Sequence, residues 1–209
     1  MHKDFAHISA DLATADSITL DGHKWLQCPY DCGIFVCNSL HLLTAVCGPG
    51  ANVPAYLSNT LVAECTTDDP MDQLKAQSAA LPSPLFVSIE NSRRLRALPL
   101  FASVLSLGRR GYQEIISGNI EFARRVEQWI RSTEDYDVLT PLPSANFKIM
   151  NIVLFAPAPA CPNLSFRGDE GARRCVAAIN VTGKMYVTGT VYKGRAGIRL
   201  AVSNVRHSF

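Results

Sequence analysis

A strand that runs directly into a charged turn is the feature that most constrains this chain. Ser17-Ile18-Thr19-Leu20 alternates in the way that predicts a β-strand, and the Asp21-Gly22 dipeptide after it is typical of a turn. His23-Lys24-Trp25 follows, and the continuous apolar run Gly33 to Cys37 predicts a second, buried strand. These patterns place Lys24 at the end of an apolar strand.

That position is unusual for a charge, because lysine is rarely buried without a partner. Burial lowers the pKa of a lysine, and only its neutral amine attacks a carbonyl group. Lys24 is therefore a candidate for Schiff-base formation with an aldehyde cofactor. The alternative is a surface lysine in a turn between a strand and a helix, and composition alone would favour that alternative.

Three stretches carry a resemblance to a known family. They are Ala15-Asp16-Ser17 with Asp21-Gly22-His23-Lys24-Trp25, then Pro29-Tyr30-Asp31-Cys32-Gly33, and finally Gly189-Thr190 with Lys193-Gly194-Arg195 and Ile198 to Asn204. Together they resemble the pyridoxal-phosphate-dependent group II decarboxylases, which include the aromatic-L-amino-acid, tyrosine and glutamate decarboxylases. Ser92-Arg93-Arg94 resembles the central segment of that family, so the similarity spans nearly the whole chain in the family's order.

The resemblance implies an α/β fold. Residues 1–98 would be the C-terminal part of the large cofactor-binding domain of fold-type-I enzymes, including a long loop. Residues 99–135 would be connecting helices, and residues 136–209 a small, incomplete α+β domain. The family also implies a homodimer, and a chain truncated at both ends, because its ring-nitrogen aspartate would lie upstream of Met1.

The same resemblance implies a set of site residues. Lys24 would form the Schiff base with pyridoxal 5'-phosphate, and His23 would contact the cofactor phosphate near the substrate carboxylate. Arg199 would bind the carboxylate of the amino acid substrate with its planar guanidinium. The alternatives are a packed turn histidine for His23 and a structural ion pair for Arg199, which lies in an apolar strand where an unpaired charge is costly. Asp21 is expected to shape the turn.

The implied activity is decarboxylation of an amino acid, and two alternatives stay open. One is a catalytically impaired fragment of such an enzyme. The other is a different fold-type-I activity, such as an oxidative deaminase, because the family's mobile loop often carries a tyrosine and the matching residues 66–73 have none.

Composition restricts the partners and the compartment. A net charge of +2 gives no electrostatic case for nucleic acid or for an anionic membrane. No stretch approaches the ~20 apolar residues of a membrane span, and the N-terminus lacks the apolar region of a signal peptide. The seven cysteines form no C-x-x-C pair, so we expect reduced thiols, no metal site and a cytoplasmic protein.

Periodicity predicts the remaining elements. Apolar spacing indicates a long helical region that opens at Pro99 and is divided by glycines at 108, 111 and 118. A strand is predicted at residues 151–155, a helix at 173–181, and strands at 185–188 and 197–203. Residues 6–15 are weakly helical, and residues 48–84 are predicted to be a loop.

Overall fold

The computed structural model describes residues 12–48, 87–90, 92–141, 148 and 150–203. The strands and α-helices in these ranges are β1 (Ser17–Asp21), β2 (Gly33–Cys37), α1 (Leu40–Cys47), α2 (Ala97–Arg131), β3 (Tyr136–Val138), β4 (Ile152–Pro157), α3 (Gly168–Val181), β5 (Thr188–Tyr192) and β6 (Arg195–Ala201), and a short 3-10 helix spans Leu164–Phe166. Most of the predicted loop at 48–84, including residues 66–73, and most of the weakly helical segment at 6–15 lie outside the described residues.

Strands β1 and β2 form an antiparallel hairpin, as the sequence predicts. Ser17 pairs with Cys37 at one end of the hairpin, and Asp21 pairs with Gly33 at the other. The prediction that β2 is buried is wrong: Phe35 is 53% exposed and its neighbours on both strands are mostly exposed. The hairpin is a separate two-stranded sheet that is not hydrogen-bonded to the four-stranded one, and most of its residues are exposed.

Helix α1 was not predicted. The Ser39 side chain caps its N-terminus by accepting a hydrogen bond from the Leu42 backbone N–H at 3.2 Å. No residue of this helix is buried. The sequence signal for the helix was a capping serine, Ser39, ahead of a leucine-rich run.

Helix α2 confirms the long helical prediction. It runs from Ala97 to Arg131 and is interrupted at Gly108, where φ is 56° and ψ is −175°. That conformation is essentially restricted to glycine. The other two glycines of the predicted division, Gly111 and Gly118, lie in the helix and do not interrupt it.

The C-terminal half forms a four-stranded antiparallel sheet in the order β3-β4-β6-β5. The strand predicted at residues 185–188 is wrong in position, because β5 begins only at Thr188. The backbone of Val187 is instead bonded to the Asn180 side chain, which donates to its carbonyl at 2.9 Å and accepts from its N–H at 2.8 Å. Helix α3 begins at Gly168, before the predicted start.

The core lies between this sheet and helices α2 and α3. Val153 pairs with Leu200 and Phe155 pairs with Ile198, so alternation places all four side chains on one sheet face. They share a buried cluster with residues of both helices: Ala123, Val126, Ile130 and Cys175. Helices packed against a sheet agree with the predicted α/β class. No helix in the described ranges is both long and apolar enough to cross a membrane.

Candidate functional site

Lys24 lies in the turn that follows β1, and its side chain is 66% exposed. The expectation of a buried lysine is therefore wrong, because the strand that leads to it is itself solvent-exposed. Its amine is instead paired with Asp21, whose carboxylate oxygen Oδ2 is 2.6 Å from Lys24 Nζ. The structure thus presents a primary amine that is accessible and held in place by one carboxylate.

Asp21 is the residue of this site that sequence reasoning undervalued. The hydrogen bond from Lys24 holds the pKa of the Asp21 carboxyl below its ordinary value, and the charges of Lys24 and His23 act in the same direction. The signal was present in the sequence, because an acidic residue three positions before a lysine in a turn can reach its amine. Asp21 both ends the strand and orients the lysine.

His23 and Trp25 flank the lysine, and each has a buried ring nitrogen. The His23 ring stacks on Tyr30, with the ring centroids 4.0 Å apart and the planes inclined by 24°. Within the part of the chain that the structure describes, His23 Nδ1 and Trp25 Nε1 make no hydrogen bond. Buried polar atoms are nearly always paired in folded proteins, so a polar ligand could satisfy these two nitrogens.

A close backbone approach fixes the start of the turn. The Gly22 N–H donates to the Cys32 carbonyl at 2.7 Å, and the Gly22 carbonyl accepts from the Cys28 N–H at 3.1 Å. A Cβ atom on residue 22 would lie 2.4 Å from the Cys32 sulfur. Any side chain at residue 22 would therefore displace the Cys32 side chain, which favours glycine in front of His23-Lys24.

The end of the turn is attached to two distant parts of the chain. The Leu26 carbonyl oxygen lies 2.8 Å from the Ser103 hydroxyl and 3.2 Å from the Tyr112 hydroxyl, both on α2. The Gln27 side-chain amide donates to the carbonyl of Ser203, beyond β6, at 3.2 Å. None of these three hydrogen bonds was predicted, because each joins residues far apart in sequence.

Two stretches that carry the family resemblance are joined by ion pairs. Asp31 binds the guanidinium of Arg94 and that of Arg96, the latter at 3.0 Å. The pKa of the Asp31 carboxyl is below its ordinary value because of a backbone hydrogen bond and these two arginines. The segment before α2 is thereby linked to the turn that carries Lys24.

Arg199 lies on β6, in register with Leu154 on β4 and with Thr188 on β5. Its neighbours Ile198 and Leu200 are buried in the core, so alternation places Arg199 on the opposite face of the sheet, where it is half-buried. The expectation that Arg199 lies among apolar side chains was therefore wrong, since the apolar residues of β6 lie on the other face of the sheet. Within the described ranges, the Arg199 side chain has no ion pair and is not joined to His23 or Lys24.

The chain is similar in sequence to a group of decarboxylases. A family model described as the pyridoxal-dependent decarboxylase conserved domain matches residues 1–155. Tryptophan decarboxylase 1 from Oryza sativa subsp. japonica is 28% identical over 201 residues, and an aromatic-L-amino-acid decarboxylase from Catharanthus roseus is 26% identical over 201 residues. Each alignment covers 96% of this chain but 35% of the relative. The chain thus spans about a third of the length of these curated relatives.

Solved structures agree with the fold. The crystal structure of Oryza sativa TDC with PLP and tryptamine superposes with a TM-score of 0.74 at 23% identity, covering 98% of this chain and 38% of that one. The crystal structure of Catharanthus roseus tryptophan decarboxylase in complex with L-tryptophan gives a TM-score of 0.69 at 24% identity, covering 96% of this chain and 37% of that one. At these identities the likeness shows a shared fold, and it confirms the predicted α/β class.

Proposed function

The chain belongs to the pyridoxal-dependent decarboxylase family, and from this premise we propose that it provides the lysine-bearing part of an amino acid decarboxylase. Pyridoxal phosphate is the cofactor on which this family depends. One observation supports particular residues: the Lys24 amine is accessible, and among the described residues the buried nitrogens of the neighbouring His23 and Trp25 have no hydrogen-bond partner.

The donor set of this turn fits an anionic aldehyde cofactor. An imidazole N–H donates to phosphate or carboxylate oxygens, and bonds to a charged acceptor are stronger than neutral ones. The buried nitrogens of His23 and Trp25 would be satisfied by such oxygens, and Lys24 supplies the amine. When bound, pyridoxal phosphate supplies an aldehyde that joins to an amine and a ring that accepts the electron pair released as carbon dioxide leaves.

Each residue then has a defined task. Lys24 must lose a proton before its amine attacks a carbonyl, and Asp21 holds that amine in one orientation until it does so. His23 is held flat against Tyr30, which fixes the direction in which its ring nitrogens point. Arg199 offers a planar fork that matches a substrate carboxylate, and no ion pair within the described residues occupies it.

We propose further that other parts of the site come from outside the matched third of the relatives' length and from a second chain in a homodimer. The division into residues 1–98, 99–135 and 136–209 belongs to this proposal. Helix α2 supports it, since that helix separates the hairpin from the four-stranded sheet in the chain.

The substrate is an amino acid, and we propose tryptophan and tyrosine as the first candidates because the curated relatives include tryptophan and aromatic-L-amino-acid decarboxylases. Amine and carbon dioxide are the expected products. Aldehyde and peroxide instead would identify the oxidative alternative, and no product with a loaded cofactor would identify an impaired fragment.

Cofactor attachment tests the proposal directly. The purified 209-residue chain is incubated with pyridoxal phosphate, reduced with borohydride and mapped by peptide mass spectrometry. We expect the label on Lys24, its loss in Lys24→Ala, and its retention in Lys184→Ala, which removes an exposed lysine elsewhere. Labelling spread evenly over the lysines, unchanged by Lys24→Ala, would contradict the proposal.

A further inference from the structure

Gln27 makes an unusual set of contacts at the end of the Lys24 turn. Its φ angle is 55°, a left-handed conformation that a residue other than glycine adopts rarely. Its backbone N–H donates to the Lys24 carbonyl at 3.0 Å, and its side-chain Nε2 donates to the same oxygen at 3.1 Å. The backbone N–H and the side-chain amide nitrogen of one residue therefore both donate to the carbonyl of the candidate cofactor lysine.

The same side chain reaches the opposite end of the chain. Gln27 Nε2 also donates to the Ser203 carbonyl at 3.2 Å, across a separation of 176 residues. Ser203 follows β6, the strand that carries Arg199. A primary amide has two N–H groups, so one nitrogen can serve both carbonyls at once. A hydroxyl has a single hydrogen and an apolar side chain has none, so neither could make both bonds.

The backbone conformation gives an independent reason to look for a role. Glycine would adopt the left-handed angle without strain, and asparagine tolerates it better than glutamine does. Gln27 has an unfavourable backbone conformation. Its side chain forms hydrogen bonds to two carbonyls, those of Lys24 and Ser203. Length and amide chemistry together account for both bonds.

We propose that Gln27 is a positioning residue that straps the Lys24 turn to the segment after β6, so that the Lys24 amine and Arg199 keep a fixed separation. This inference rests on the proposed function, because it assigns the strap a purpose through Lys24. The hydrogen bonds of Gln27 go to backbone carbonyls rather than to the lysine amine. It acts through the Lys24 backbone and through the position of Ser203.

Three variants separate the contributions of side chain and backbone. Gln27→Met keeps the approximate length without a donor, Gln27→Asn keeps an amide that is too short to reach both carbonyls, and Gln27→Gly relieves the φ angle while removing the side chain. Gln128→Met is the matched control, since Gln128 is an exposed glutamine on α2. Thermal unfolding of each variant shows that it is folded.

The first readout is the rate of borohydride-trapped pyridoxal phosphate labelling at Lys24 as a function of pH. We expect Gln27→Met and Gln27→Gly to lower this rate roughly tenfold, on the scale of two lost hydrogen bonds, with Gln27→Asn between them and the wild type. Gln128→Met should match the wild type. A wild-type rate in Gln27→Gly would overturn the proposal, because the backbone alone would then suffice.

The second readout does not use the cofactor. In a Trp129→Phe background, Trp25 is the remaining tryptophan, and acrylamide quenching of its fluorescence reports the exposure of the turn. We expect greater quenching in folded Gln27→Met than in the parent. Wild-type quenching in that variant would overturn the strap. Wild-type labelling that is not directed to Lys24 would refute the proposed function instead, while Trp25 quenching would still decide whether the strap exists.

Discussion

Ser103 and Tyr112 are nine residues apart on one helix, yet their hydroxyl oxygens lie 2.8 Å from each other. A straight α-helix would separate two such Cα atoms by about 13.5 Å along its axis. The interruption at Gly108 lies between them and redirects the helix, so that both hydroxyls reach the Leu26 carbonyl. A bend in α2 therefore holds the turn that carries Lys24.

Gly108→Ala should weaken this attachment. The φ of 56° and ψ of −175° at this position are strained for any residue with a Cβ, at a cost of about 1–3 kcal/mol in the free energy of unfolding. We expect urea denaturation to show that loss. Gly189→Ala, at an open position with ordinary φ, should change stability by no more than about 0.5 kcal/mol. Equal stabilities for the two variants would refute the role of the bend.

Gly22 and Cys32 should behave as a coupled pair. A Cβ on residue 22 meets the Cys32 sulfur at 2.4 Å, so Gly22→Ala should destabilise the chain by about 1–3 kcal/mol through overpacking. Cys32→Ala removes that sulfur, so the double variant should lose less stability than the two single variants together. Strict additivity in a double-mutant cycle measured by urea denaturation would show that the two side chains do not compete for space.

The pair of Asp21 and Lys24 should be visible in a carboxyl titration. Lys24 lowers the pKa of Asp21 in the folded chain, so the stability from this pair is present above the ordinary carboxyl pKa of about 3.9. It is lost as the pH falls through the lowered value. Lys24→Met should raise the pKa of Asp21 in an NMR titration, whereas Lys184→Met should leave it unchanged. An unaltered Asp21 midpoint in Lys24→Met would rule out the pair in solution.

Tyr136 should titrate above the ordinary pKa of a tyrosine. Burial raises the pKa of its hydroxyl to about 12, and the neighbouring Cys175 thiol contributes in the same direction. The neutral hydroxyl is favoured in the folded chain, so this stability is fully present below pH about 10 and is lost as the pH rises towards 12.

Absorbance at alkaline pH should therefore contain a step near pH 12 that Tyr136→Phe removes. Cys175→Ala should shift that step only in part, because burial is the larger cause. An absorbance titration that Tyr136→Phe leaves unchanged near pH 12 would contradict the raised pKa of Tyr136.

Most local elements and the family follow from the amino-acid sequence alone. Alternation predicted β1, local sequence patterns predicted β4 and β6, apolar spacing predicted α2, and the motif around Lys24 predicted a decarboxylase family that the comparison confirmed. Local patterns were sufficient to predict these features, because each depends on residues that are close together in the sequence. They failed for β3, which has only three residues, and for the start of β5, where an asparagine side chain bonds the backbone instead of a neighbouring strand.

The contacts that hold the candidate site in place depend on how distant parts of the chain pack together. The bonds that anchor the Lys24 turn join residues separated by 77, 86 and 176 positions, and no periodicity reports such contacts. The sequence also left open which apolar strands are buried, because a strand is buried only if another layer of the structure covers it. Lys24 is exposed for that reason, and Arg199 faces away from the core because pairing of β4 with β6 set which sheet face the helices cover.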